Sequence, residues 1–411
     1  MAWWKTKQVR PALWFLGVLI FIALARDFLA NGRPLYCRIN GEIFYPGLRT
    51  AWHGEDRPYG HPVLDQIRQN FMWRRYNYEA ALFAPIPFSP GELPMTPDTT
   101  VKQALPGSVH PGPNARFRHW LGTDDEGYDV AAGLVGGARI AILTGAMATC
   151  LSFGIGIVLG AIAGFWGDNR LRIRRGQLWL VLLSLPFAWF YTSAFMQNDP
   201  AIANIWLLWS VATGIFFAIV AVFGFLGKHL LRTPYFQQFA VFPADLVVMR
   251  LTELFSSMPA LLVIVAFAAM LKTQTQTLWP MIVLIGAFSW PDIARFVRGE
   301  LLRVRELDFV TAARGMGLNE WRILLRHALP NALRPTLTIF AFGVGSAIML
   351  EAALSFLGYG DNNLHGATWG SLLQNARSSP QLWWICLPPG LAICLTLLAL
   401  NLIGEALSER Q

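Results

Sequence analysis

The sequence predicts an all-α polytopic membrane protein with about eight spans, most of them apolar runs long enough to cross a hydrocarbon core. Two further observations support it. Hydrophobic residues fill 54% of the 411 positions and charged residues only 14%, unlike an ordinary soluble domain. Arginine and lysine also concentrate in alternate short loops, as in a chain that threads the bilayer repeatedly.

The first span is residues 11–25, behind Lys5, Lys7 and Arg10. This start resembles a secretion signal, and Ala23, Leu24 and Ala25 spell a small-residue cleavage site. No polar, helix-breaking stretch precedes that site, so the segment reads as an uncleaved helix entered from the cytoplasm. Residues 31–135 then form an extracytoplasmic segment rich in Pro, Gly and aromatics (PLYCRINGEIFYPG, RPYGHP, FAPIPFSPGELP). Its apolar clusters are broken every few residues, which reads as a Pro-rich external loop.

The second span covers residues 140–166. Its Gly156, Gly160 and Gly164 stand four apart on one helical face, allowing a neighbouring helix to approach closely. Arg170, Arg172, Arg174 and Arg175 follow and mark the cytoplasm. Spans at 178–196 and 205–226 are joined by QNDPAIAN on the outer side and closed by Lys228, His229 and Arg232 within. The remaining spans are 246–271, 278–290, 335–357 and 383–404, with SLLQNARS a short helix before the last. The expected divisions are 1–30 (cytoplasmic N-terminus and first span), 31–135 (outer segment), 136–168 (second span), 169–244 (an inserted helix pair) and 245–411 (the core, with a cytoplasmic loop at 291–332).

Composition also excludes. The excess of 33 Lys and Arg over 25 Asp and Glu follows from loops held inside, and no basic run interleaved with aromatics suggests nucleic-acid binding. Cys37, Cys150, Cys386 and Cys394 have no CxxC spacing, so neither a disulfide framework nor a metal centre is expected. No GxxxxGK phosphate cradle, HExxH or GxSxG occurs.

The most informative stretch is residues 306–331, ELDFVTAARGMGLNEWRILLRHALPN, within a segment of eight arginines and four acids (295–334). It reads as two helices, 300–314 and 320–328, meeting at Gly315 and Gly317. Asn319 caps the second and Pro330 ends it. Trp321, Leu324, Leu325 and Ala328 would share one side of that helix, away from Glu320, Arg322 and Arg326. Such a helix lies against the bilayer interface or against another protein, and its chemistry alone fits both.

The order Ala312, Ala313, then Gly317, then Leu329 and Pro330 resembles the EAA loop of bacterial ABC-importer permeases, with Thr311 in place of the Glu. The spelling RHALPN around His327 is similar to the peptide and nickel branch. HWLGTDDEGYDVAAGLVGGARIAIL, DLVVMRLTELFSSMPALL, WPDIARFVRGELL, MLEAALSFLGYG and ATWGSLLQNAR continue the likeness to the dipeptide and oligopeptide C-type permeases. Tyr128 and Gly133 replace arginines usual in that family. The likeness spans about 118–168 and 245–407, leaving the helix pair and the enlarged outer segment as additions.

The resemblance implies a type I ABC-importer permease fold in the bacterial plasma membrane, with both termini cytoplasmic. Its implied partners are the lipid bilayer, a second permease forming a heterodimer, two ABC ATPase subunits and an extracytoplasmic solute-binding protein. ATP and Mg would be bound by the ATPases, and this chain would carry no cofactor and no catalysis. The docking surface carried over comprises Asp308, Thr311, Ala312, Ala313, Arg314, Gly315, Gly317, Leu318, Leu329 and Pro330.

Glu351 and Glu253 are acids within spans and so are candidates for a functional group, although a partner inside the bundle would also explain them. His110, His119 and His365 read as isolated surface histidines, and nickel transport is an alternative to peptide transport. A membrane scaffold recruiting the ATPase, or an exporter of the same architecture, also fits the loop.

Overall fold

The computed structural model describes residues 9–53, 59–70, 73–91, 101–110, 117–168, 205–229, 239–271, 278–360 and 367–409, with 172–174, 176–177, 180–181, 183–184, 186–188 and 190 between them. The QNDPAIAN loop and His365 lie outside these residues, as does much of the expected third span. The chain divides into two compact units, one of residues 1–158 with 252–411, the other of residues 159–251.

The first unit opens with α1 (Val9–Leu24) and the single turn α2 (Arg26–Leu29). Its next part corrects the expectation of a Pro-rich loop broken into short apolar clusters. β1 (Tyr36–Ile39) pairs antiparallel with β2 (Glu42–Phe44) on one side and, further along the chain, with β3 (Ala80–Leu82) on the other; between β2 and β3 lie α3 (Pro46–His53) and α4 (Pro62–Gln69). These elements enclose their own core of Cys37, Ile39, Leu64, Ile67 and Trp73, rimmed by Tyr59, Tyr76 and Tyr78. Burial there raises the Cys37 thiol to about 11 and also pushes up the Tyr78 phenol. Asn40 and Gly41, both at positive φ (52° and 81°), form the two-residue turn that closes the β1–β2 hairpin. A second hairpin, β4 (Ser108–Val109) with β5 (Arg118–His119), leads to α5 (Val130–Ala161).

In the second unit, the helix of α5 runs into a π segment, Ile162–Trp166. There β6 (Arg172–Arg174) pairs antiparallel with β7 (Phe239–Val241), so a ribbon closes the base of the additional segment. Within it Phe187 stacks on Phe223 of α6 (Ile205–His229), with ring centroids 6.2 Å apart.

The chain continues through α7 (Ala244–Ser257), α8 (Ala260–Leu271), α9 (Leu278–Phe288), α10 (Trp290–Val304), α11 (Asp308–Gly315), α12 (Glu320–Ile323), α13 (Leu329–Phe356), α14 (Trp369–Ala376) and α15 (Trp383–Ser408). Among the described residues, three helices are by themselves long and apolar enough to cross a bilayer: Val130–Trp166, Glu320–Phe356 and Trp383–Ser408. The expected span 246–271 is instead a broken pair, α7 with α8 (79°), and the expected span 278–290 runs on into a second bent pair, α9 with α10 (40°). Prolines accompany both breaks: Pro259 stands in the first, and Pro291 is the second residue of α10 at the other. The described part of α1 is 16 residues, against the roughly 20 that a full crossing takes.

α13 is the central element, in contact with α9, α10, α14 and α15. Leu19 of α1, Ala138 and Ala141 of α5, Ile348 of α13, Trp369 of α14 and Leu400 of α15 share one buried cluster. A Cβ built on Gly145 would meet Ile348 at 2.6 Å, and one on Gly156 would meet Ile293 at 2.6 Å. Gly145 and, of the three glycines spaced four apart, Gly156 therefore bring α5 into close contact with neighbouring helices.

Candidate functional site: the loop at 306–331

Three short pieces build the loop. α10 ends at Val304, and Leu307 is extended (φ −73°, ψ 148°), so the expected helix 300–314 is two helices, with Asp308 opening α11. Asp308 places its negative charge at the N-terminus of α11 and Arg314 its positive charge near the C-terminus, both favourable to the helix dipole. Thr311 hydrogen-bonds back to the Asp308 carbonyl (2.9 Å). Gly317 then takes φ +77°, a left-handed turn costly for any residue with a Cβ, whereas Gly315 is the last residue of α11. The Asn319 side chain accepts the Trp321 N–H at 3.1 Å and caps α12, as expected.

An ion pair locks this elbow. Arg314 Nε donates to Glu320 Oε1 at 3.0 Å and Nη2 to Oε2 at 3.4 Å, a forked contact across the turn. Beneath it, Val310, Ala313, Ile323, Leu324 and Ala328 are buried. Of the expected docking residues, Asp308, Thr311, Ala312, Gly315, Gly317 and Pro330 are exposed; Arg314, Leu318 and Leu329 are half-buried; Ala313 points inward. Sequence reasoning missed the most protruding apolar side chain, Met316, 73% exposed, and also Leu307 and Phe309.

Two expectations about the second helix are corrected. Trp321 and Leu325 are exposed while Leu324 and Ala328 are buried, so the four do not share a face. Pro330 does not end the helix either: residues 320–356 are one continuous run. A π segment, Leu324–Ala328, explains both. The Leu329 N–H bonds to the Leu324 carbonyl, five residues back, which rotates the side chains after Ile323 and seats Pro330 at the start of a fresh turn.

The elbow and Glu351 therefore lie on one rod. At 1.5 Å per residue the distance from Glu320 to Glu351 is roughly 45 Å, more than the thickness of a hydrocarbon core. Glu351 is buried; Oε1 accepts from Ser355 Oγ at 2.7 Å, and Oε2 is buried without a hydrogen bond at that distance. Thr368, the N-cap of α14, lies beside the carboxyl. Glu253, the other candidate acid, is exposed on α7, so the two acids have different environments.

Around the N-terminus of α5 the structure joins groups far apart in sequence. Asp124 Oδ1 accepts the backbone N–H groups of Glu126, Gly127 and Tyr128, and its Oδ2 accepts from Asn375 Nδ2 at 2.8 Å. At Gly133, where the family resemblance leads one to expect arginine, a Cβ would lie 2.9 Å from the Leu372 side chain, so a larger residue would require Leu372 to shift. His110 and His119, expected as isolated surface residues, are instead buried and in contact. His110 Nδ1 is 3.1 Å from His119 Nε2, and His119 Nδ1 is 2.8 Å from Asp129 Oδ2. Asp129 Oδ1 in turn caps α5 through the Ala132 N–H (2.7 Å), and Phe88 stacks on His119. Burial, with Arg74, His119 and Arg75 nearby, holds the His110 imidazole down at about 4.

Broken and unbroken apolar helices around a central rod, with an apolar-tipped elbow at one end of it, describe a polytopic helical membrane protein. Residues 238–410 match the family described as binding-protein-dependent transport system inner membrane component. The chain is 26% identical to the inner membrane ABC transporter permease protein YejE of Escherichia coli strain K12, over 97% of this chain and 91% of that one. It is 25% identical to the peptidoglycan transport system permease protein YejE of Agrobacterium fabrum, over 97% and 87%. A putative peptide transport system permease protein of Brucella suis biovar 1 reaches 41% identity over 40% of this chain and 55% of its own length.

Proposed function

We propose that this chain is the permease subunit of an ATP-driven importer of peptides, and that the elbow at 308–330 is where its ATPase docks. The observation that carries this reading is the combination of exposed Met316, Trp321 and Leu325 with a turn held by the Arg314–Glu320 fork. An exposed apolar tip suits a partner cleft, and a stiff turn transmits that partner's movement. The tip continues through the π segment into the rod of α13, so closure of an ATPase dimer would tilt or turn a helix that crosses the membrane.

In this reading the 291–332 loop and both termini are cytoplasmic, and residues 31–129 are outside. A second permease completes the pathway, two ATPase subunits bind ATP and Mg, and a solute-binding protein delivers the peptide. This chain performs no catalysis. The likeness to relatives named for peptide and peptidoglycan transport supports peptides, with peptide-bearing cell-wall fragments as one class to try. The test is uptake of labelled peptides of graded length, and of one such fragment, in cells with and without this chain. Loss of uptake on deletion, restored by the wild-type gene, is expected; uptake independent of the chain overturns the reading.

A further inference from the structure

The elbow has no part in the polar contacts at the other end of the rod, where α14 meets the loop before α5. The two ends of α14 are held differently. Its N-terminal end is locked by packing: Trp369 is buried and donates Nε1–H to the Leu134 carbonyl at 3.0 Å, and Gly370 lies so close to the Ala352 carbonyl that a Cβ there would collide with it. Thr368 and Ser371 complete a capping box.

At the C-terminal end Ala376 is buried in the cluster with Val130, Leu382, Trp384 and Ile385. That end is also tied by side-chain hydrogen bonds. Asn375 Nδ2 donates to Asp124 Oδ2 at 2.8 Å, and Ser378 Oγ donates to Asp125 Oδ2 at 2.8 Å. Ser379 Oγ also donates to Asp125 Oδ2, and Gln103 Nε2 donates to Oδ1 at 2.9 Å. Asp124 is a pre-built acceptor, buried and fixed by three backbone N–H groups. The Asp125–Ser378 bond is at the surface, where water can replace it at little net cost.

The packed end abuts the residue next to Glu351 on the rod. A shift of the rod would therefore push α14 at Gly370 and load the hydrogen bonds at its other end. We propose that Asp124, Asp125, Asn375, Ser378 and Ser379 are positioning residues for transport, forming a latch that holds α14 in place and must release during the cycle. The proposal rests on the permease reading above, in which this latch faces outward and the elbow inward.

The test uses the whole transporter in proteoliposomes with its ATPase and binding protein. In a background with Cys150, Cys386 and Cys394 replaced, the Asp125→Cys and Ser378→Cys pair is bridged by a short bifunctional methanethiosulfonate, with bridging checked by mass spectrometry. Bridging is expected to cut peptide uptake more than tenfold, and a thiol reductant to restore it, which a merely structural contact would not produce. Unchanged uptake after complete bridging overturns the latch alone. In parallel, Asn375→Ala with Ser378→Ala and Ser379→Ala is expected to raise ATP hydrolysis severalfold without binding protein. Hydrolysis and uptake both at wild-type levels would also overturn the latch, whereas uptake that never depends on this chain counts against the permease reading.

Discussion

Arg314 and Glu320 grip each other across the Gly317 turn, with guanidinium and carboxylate in forked contact at 3.0 and 3.4 Å. Both side chains are partly exposed, so the pair contributes under about 1 kcal/mol to stability, and its value lies in fixing the elbow angle. Glu320→Gln should leave membrane insertion normal while lowering uptake per ATP hydrolysed severalfold. The reversed pair, Arg314→Glu with Glu320→Arg, should recover part of it. Parallel uptake and hydrolysis assays on reconstituted complexes measure this ratio.

The two glycines of the elbow should behave differently. Gly317→Ala forces a Cβ into a left-handed backbone and should cost about 1 kcal/mol locally, although the space around it is open. Gly315→Ala, in helical backbone, should be neutral or stabilising. Hydrogen exchange of residues 308–323 would show faster opening only in the first variant. Gly317→Trp, which adds bulk at the proposed docking face, should insert normally and abolish transport.

The buried His110–His119–Asp129 chain gives a pH dependence with a defined sign. The His110 imidazole is held near 4, below the usual histidine value, so the unfolded segment takes up a proton that the folded one does not. Its contribution to stability is complete above about pH 6.5 and is lost as pH falls towards 4, by up to about 2–3 kcal/mol. Hydrogen exchange in β4 and β5 should therefore accelerate over that window, and His110→Gln should flatten the profile.

Glu351 tests as a packing partner. Glu351→Gln can keep the bond with Ser355, so uptake should stay close to wild type across external pH. Glu351→Ala leaves a buried hydroxyl unpaired and should cost about 1–3 kcal/mol, seen as lower membrane abundance. A glutamine variant of normal abundance but without uptake would make the carboxyl itself functional.

The long elements were legible because lipid demands long apolar runs, and the elbow because Gly317 and Asn319 are chemically specific to a turn and a cap. The folded unit at 36–82 was hidden by strands of three and four residues, although Asn40–Gly41 between CRI and EIF was a readable hairpin signal. The His110–His119 contact depends on the pairing of a two-residue hairpin, and the Asp124–Asn375 bond joins residues 251 positions apart. No local pattern encodes either. The π segment escaped because one extra residue per turn leaves composition unchanged while reassigning every face after Ile323.

The central claim is that the elbow's apolar tip is the ATPase contact, and co-purification measures it most directly. Met316, Trp321 and Leu325 are each changed to Asp in one variant, and the tagged permease is extracted from membranes with its ATPase. The account predicts normal insertion with ATPase recovery reduced at least about tenfold, the equivalent of some 1.4 kcal/mol of binding. Undiminished ATPase recovery with that variant would contradict it.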